Sequence, residues 1–191
     1  MRTEPTPGEA EITHIRASLL RGLVKDMARQ GGTAWDDLVD GLSPAGRQVF
    51  RVMPGSFSWI ETARVNEIVE AHTALRGEEG AIERIRLTVD EQLTVVHAWM
   101  LKLLSPATLI HQSPTIFRFN YKGGVVGLDD IRPGLAHLSI WATGPFPTWF
   151  THSVPQWLKR ALELCDGGAC EVRHHPPEAG CRHRYELTWK A

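Results

Sequence analysis

The spacing of apolar residues changes period part-way along this 191-residue chain. Up to about residue 112 they recur every three or four positions, which is the helical repeat. Beyond it they alternate in short runs punctuated by glycine and proline pairs, which is the strand repeat. A chain that is helical first and stranded later is not a regularly alternating parallel α/β chain. It predicts an α+β domain: a helical N-terminal half packed on a small, mainly antiparallel sheet that is crossed by one helix.

In the helical part, Ile12, Ile15, Leu19, Leu23 and Met27 predict a helix from Glu11 that Gly31-Gly32 ends. Thr33 suits the cap of a short helix with Trp35, Leu38 and Val39. Ser43-Pro44 offers a cap followed by proline at the first helical position. Ile60, Val65, Ile68, Val69, His72 and Leu75 trace a further helix that Gly77 closes. The longest helical stripe runs from about Glu79 to Leu104, and Ser105-Pro106 starts a short successor. Residues 1–10 carry no such pattern and read as a disordered tail. Residues 11–191 read as one domain, helical over 11–112 and sheet-containing over 113–191.

The first strand expected is Thr115-Ile-Phe-Arg-Phe-Asn-Tyr121, which alternates and is rich in strand formers. Gly123-Gly124 turns it into a second strand from Val125 to about Ile131. Pro133-Gly134 is another turn, before Leu135 to Trp141. Trp149, Phe150, Val154, Trp157, Leu158, Ala161 and Leu162 form a helical stripe, with Pro155 marking its start or a bend. Cys170 to Arg173 and Arg184 to Trp189 make the final hairpin, with His174, His175 and two prolines between its arms.

Composition excludes several classes. The net charge is -1 and no Lys/Arg block stands out, so a nucleic-acid partner is not implied. The opening residues, MRTEPTPGEAE, are neither signal peptide nor membrane helix, and the longer apolar stretches are broken by charge or turns. No membrane partner is expected, and cytoplasmic residence is the default. Three cysteines cannot all pair within the chain, which fits a reducing compartment. There is no Gly-x-Ser-x-Gly, phosphate-binding glycine loop or His-Glu-x-x-His helix, so no catalytic residue is assigned.

Two clusters remain. Cys165, Cys170, Cys181 and His183 supply the ligand types of a zinc site, and they would converge if the helix end met the final hairpin. Separately, aromatic residues crowd the sheet and its crossing helix. Tyr121, Trp141, Trp149 and Trp157, with Arg118 and His137 as polar groups, make a candidate pocket for a small apolar ligand. The same rings would also serve as core between helix and sheet. Trp141-Ala-Thr-Gly-Pro-Phe-Pro-Thr-Trp149 would suit a protein partner.

Three segments carry a family resemblance: Pro54-Gly-Ser-Phe-Ser-Trp59, Leu103 through Gly124, and the terminal hairpin 170–189. Together they resemble an uncharacterised family of small proteins abundant in myxobacteria. The order of elements further resembles the group that contains the 4-vinyl reductase sensory domain and the haem nitric-oxide-binding domain. That resemblance implies helices first, then strands, a crossing helix and a final hairpin, in a protein that binds a small molecule or haem. In the 4-vinyl reductase type, cysteines of the last segment are able to hold zinc, and Gly180, Cys181, His183 and Tyr185 occupy that region. For haem, His97 and His111 are the axial candidates. The Tyr-x-Ser-x-Arg stretch that anchors haem propionates is replaced by His137-Leu-Ser-Ile-Trp-Ala142, which has no arginine. The expected function is a non-enzymatic small-molecule-binding or regulatory domain. A protein-interaction or structural adaptor module is the alternative, with zinc- or haem-binding behind both.

Overall fold

The computed structural model describes residues 5–30, 33–52, 54–93, 101–143, 149–165, 168–178 and 180–190. Of the side chains in those ranges, nothing is stated for residues 7, 30, 33–35 and 149. The first described element is a single turn, α1 (Pro7–Ala10), within the stretch expected as a disordered tail. Thr6 and Glu9 close a capping box around it, with Thr6 N–H donating to the Glu9 carboxylate at 2.9 Å. Ala10 is buried, and its carbonyl accepts from Thr143 N–H at 2.8 Å. The first segment is thereby tied to the end of the sheet.

The expected helix from Glu11 is not continuous. β1 (His14–Arg16) and a 3-10 turn over Ala17–Leu19 come before α2 (Arg21–Gln30). Every member of the predicted stripe is nonetheless buried. The three- and four-residue spacing located the core along the whole segment, and the helix itself only from Arg21 onward. β1 is the centre of a three-stranded antiparallel sheet whose partners, β2 (Trp59–Glu61) and β3 (Tyr121–Lys122), lie far along the chain. Non-local pairing overrides local periodicity there.

α3 (Thr33–Gly41) and α4 (Pro44–Arg51) follow as expected, and Ser43 Oγ accepts from Gly46 N–H at 3.1 Å to cap α4. α5 (Thr62–Gln92) holds the first predicted helix and the first half of the second, joined at Gly77, whose positive φ of 72° kinks it. Residues 94–100 of the second predicted helix lie outside the described residues. The next helix, α6 (Pro106–Asn120), starts at the Ser105-Pro106 signal but runs far past it, through the segment expected as a strand. Leu109, Ile110, Ser113 and Phe117 are buried at helical spacing, while Phe119 is largely exposed. The alternation of residues 115–121 was a chance of composition, and only Tyr121 and Lys122 are extended.

Gly123-Gly124 then turns the chain, both with positive φ. A Cβ on Gly123 would collide with the Glu11 carbonyl oxygen, so the turn also requires glycine for the N-terminal segment to pass. β4 (Val125–Arg132), β5 (Leu135–Trp141), β6 (Cys170–His175) and β7 (Arg182–Trp189) form a four-stranded antiparallel sheet in the order β4-β5-β7-β6. The crossing helix α7 (Val154–Leu164) has Pro155 in its first turn and is preceded by a π turn over Trp149–Ser153. The architecture is α+β, with the inner sheet face packed under α6 and α7. Among the described residues, no helix is long and apolar enough to cross a membrane.

Candidate functional site

Three elements meet over the inner face of the larger sheet and do not quite close. The C-terminal part of α5 contributes Thr88, Val89 and Gln92, α6 contributes Ser113, Ile116 and Phe117, and α7 contributes Val154, Trp157 and Leu158. Val126, Leu138 and Ile140 of the sheet form the floor, and Leu19, Asn120, Tyr121 and Ser153 complete the lining of a cavity of about 60 Å³. The residues are those a core would use, and none of them carries a formal charge. Gln92, Ile116, Asn120 and Trp157 are half-buried, which brings one side of the cavity close to the surface.

Its polar groups are few, and most are committed. Thr88 Oγ1 donates to the Arg84 carbonyl at 2.9 Å, Gln92 Nε2 to the Ser18 carbonyl at 2.8 Å, and Asn120 Nδ2 to the Ile116 carbonyl at 3.0 Å. Ser113 differs. It is only 8% exposed, and its buried hydroxyl has no hydrogen-bond partner. Sequence reasoning passed over it because a serine in a helical apolar stripe draws no attention. Its signal was its place between Ile110 and Phe117 on the face that is otherwise apolar.

Of the six candidate ligand residues, two line this cavity, Tyr121 and Trp157. Arg118 is exposed on α6. Leu138 and Ile140 face the cavity, so strand alternation puts His137 and Trp141 on the opposite sheet face. There His137 sits 3.5 Å from Glu186, and Trp141 lies against Gly127 beneath the Arg182 guanidinium, 5.1 Å from the ring. The side chain of Trp149 lies outside the described residues, as do Phe146 and most of the loop proposed as a partner surface.

The zinc quartet does not assemble. Cys165 is buried at the C-terminal end of α7, where desolvation pushes its thiol up to about 11. Cys170 pairs with Trp189 at one end of the final hairpin, and its Sγ donates to the Lys159 carbonyl at 3.3 Å. Cys181 precedes β7 at the opposite end. The whole of β7 (Arg182–Trp189) lies between Cys181 and the partner of Cys170, a separation of roughly 25 Å at ~3.3 Å per residue. His183 is engaged elsewhere: its Nδ1 is 3.1 Å from Nε2 of His174, and its ring stacks on Phe150. His174 and His175 belong to β6, not to the turn. Among the described residues no three His, Cys, Asp or Glu side chains are grouped to hold a metal.

No family model matches the sequence, and no curated protein does. Solved structures do match in shape. The unliganded Fe(II) H-NOX protein from K. algicida superposes with a TM-score of 0.70 at 7% identity, covering 93% of this chain and 97% of that one. The fold is that of an H-NOX domain. An oxygen-binding H-NOX domain related to soluble guanylate cyclases, in its oxygen complex, gives 0.61 at 9% identity, over 93% and 96% of the two chains. A mutant of the T. Tengcongensis H-NOX gives 0.59 at 9% identity, over 93% and 98%. These agree with the expected order of helices, strands, crossing helix and hairpin.

The donor set on this H-NOX fold is a separate matter. Haem requires an axial ligand, most often histidine, and space for the macrocycle. His111 is exposed on α6, and His97 lies outside the described residues. Among the described lining residues there is no histidine, no cysteine and no cation to meet propionates, and Tyr121 is the one titratable side chain. A cavity of about 60 Å³ is also far below the roughly 300–1,000 Å³ of ordinary cofactor and ligand pockets. The described residues therefore do not fit haem.

Proposed function

We propose that this protein is a non-enzymatic sensory or regulatory domain that binds a small, mostly apolar molecule in the cavity between α5, α6, α7 and the sheet. The observation that carries this reading is the cavity itself, an uncharged hollow where the helical half meets the sheet. A void there loses packing contacts that a filled core would keep. An occupant restores them and can bias how the two halves pack. Cytoplasmic residence and kinship with the small myxobacterial proteins belong to the same proposal. The first is supported by three free cysteines and the second by the segments quoted above.

Haem is the second reading, favoured by the shape shared with the H-NOX structures. It makes reconstitution with haem the first ligand experiment. No Soret band is expected after reconstitution of the untagged protein. A band that His97→Ala or Tyr121→Phe abolishes would replace the apolar-ligand reading with a haem protein. The apolar-ligand reading is tested by thermal shifts across a panel of small apolar compounds, alongside native mass spectrometry of freshly purified protein. Stabilisation by at least one compound, lost when the cavity is filled by mutation, is the expected result. A flat panel and a bare mass would remove the reading.

A further inference from the structure

We infer that the cavity takes a short neutral molecule with one hydrogen-bonding end, such as a small alcohol, and that Ser113 is its anchor. This rests on the cavity reading above and adds the chemical class of the ligand and the residue that selects it.

Volume sets the first limit. At about 60 Å³ the cavity is less than half the size of the ~150 Å³ apolar cavity that admits benzene. It suits a molecule of roughly two to four non-hydrogen atoms by the same comparison. Charge sets the second. The lining has no ionised side chain, so an ionic ligand would be stripped of water with nothing to replace it. The third limit comes from Ser113. A buried hydroxyl without a partner costs about 1–3 kcal/mol, and such groups are rare in folded proteins. Helical serine commonly relieves this by bonding back to the carbonyl four residues earlier. Thr88 does so with Arg84, whereas Ser113 has no partner. Among the described lining residues its Oγ is the one buried polar atom left unmatched. Ser113 lines the chamber, and its hydroxyl is held by no partner and is free to turn to a guest. One unmatched hydroxyl in a mostly apolar chamber of this size selects a ligand with one polar end and an apolar remainder.

The test uses xenon and 2-propanol on the whole chain. Xenon reads whether the cavity admits an apolar guest at all. 2-Propanol reads whether a hydrogen-bonding end adds affinity. Both are followed by amide chemical-shift changes at residues of the lining. In the unmodified protein both are expected to shift the same residues. Ser113→Ala is expected to keep xenon binding and to weaken 2-propanol about fivefold or more, the range of one buried hydrogen bond. It should melt no lower than the unmodified protein, since it removes an unsatisfied group. Xenon entry with equal 2-propanol affinity in Ser113→Ala would overturn the anchor and leave the cavity reading standing. Failure of both probes in the unmodified protein would overturn the cavity reading and the anchor together. Ser113→Cys, with its weak donor, gives the same discrimination if the alanine variant does not fold.

Discussion

At the residue scale, the most consequential group in the final hairpin is His174. Its ring is stacked between His183 and Tyr185, with centroids 5.3 and 4.8 Å away. Burial, followed by the charges of His183, His175 and His152, lowers its pKa to about 4. Burial lowers His183 as well. The unfolded chain would therefore take up protons between about pH 6.5 and 4 that the native chain refuses. Stability should be fully present above pH 6.5 and fall as the pH drops toward 4, by about 2 kcal/mol after discounting for partial exposure. Urea midpoints at about pH 7 and pH 4.5 measure it, and His174→Gln should flatten the slope. The histidines and cysteines of this hairpin were plain in the sequence, but their meaning was not. Whether Cys170 and Cys181 meet depends on strand register, and register puts them at opposite ends of the hairpin. A neighbour of the pair offers a second check. Tyr185 is buried and its hydroxyl donates to the Phe150 carbonyl at 3.0 Å. Tyr185→Phe should cost about 1–2 kcal/mol in chemical denaturation, because the carbonyl loses its partner in a dry setting.

Elements were legible where local chemistry decides them. Ser43-Pro44 and Ser105-Pro106 act through a capping hydroxyl and a proline ring, Gly77 and the turn glycines through their own backbone, and each stands where the sequence placed it. β1, β2 and β3 were not legible, because a three-residue strand exists only through partners tens of residues away. α6 shows both effects at once. Its start was read from the cap, and its length was missed because Thr115–Tyr121 alternates by composition. Ser105 Oγ accepts from Thr108 N–H at 3.2 Å, so the cap should carry weight beyond its first turn. Ser105→Ala should lower stability by about 1 kcal/mol, the usual value of such a cap. Thermal unfolding would show it, and hydrogen exchange should rise at the α6 amides first. A change confined to the loop before Ser105 would mean that tertiary contacts alone hold this helix.

At the scale of the whole molecule, the α+β order and the sheet-crossing helix were readable from the change of period, but the site was not. A cavity is a small mismatch between side chains of three helices and a sheet, and no sequence pattern records it. The aromatic cluster pointed to the right junction. It mixed residues of both sheet faces because their alternation could not yet be assigned to an inside. That junction permits a test of whether the void serves binding or only weakens the core. Ile116 lines the cavity from α6 and is half-buried, so a larger ring at this position can enter the hollow without displacing a fully buried neighbour. Ile116→Trp is expected to remove both xenon and 2-propanol binding. It should also raise the melting temperature by about 2–4 °C, as filling a void in a protein of this size yields ~1 kcal/mol. Retained binding would place the guest outside the cavity. A lower melting temperature would show that the ring does not fit the hollow and that its walls are more rigidly packed than their volume suggests. Loss of binding together with a gain in stability is the pairing expected of a domain that keeps an imperfect core in order to hold a guest.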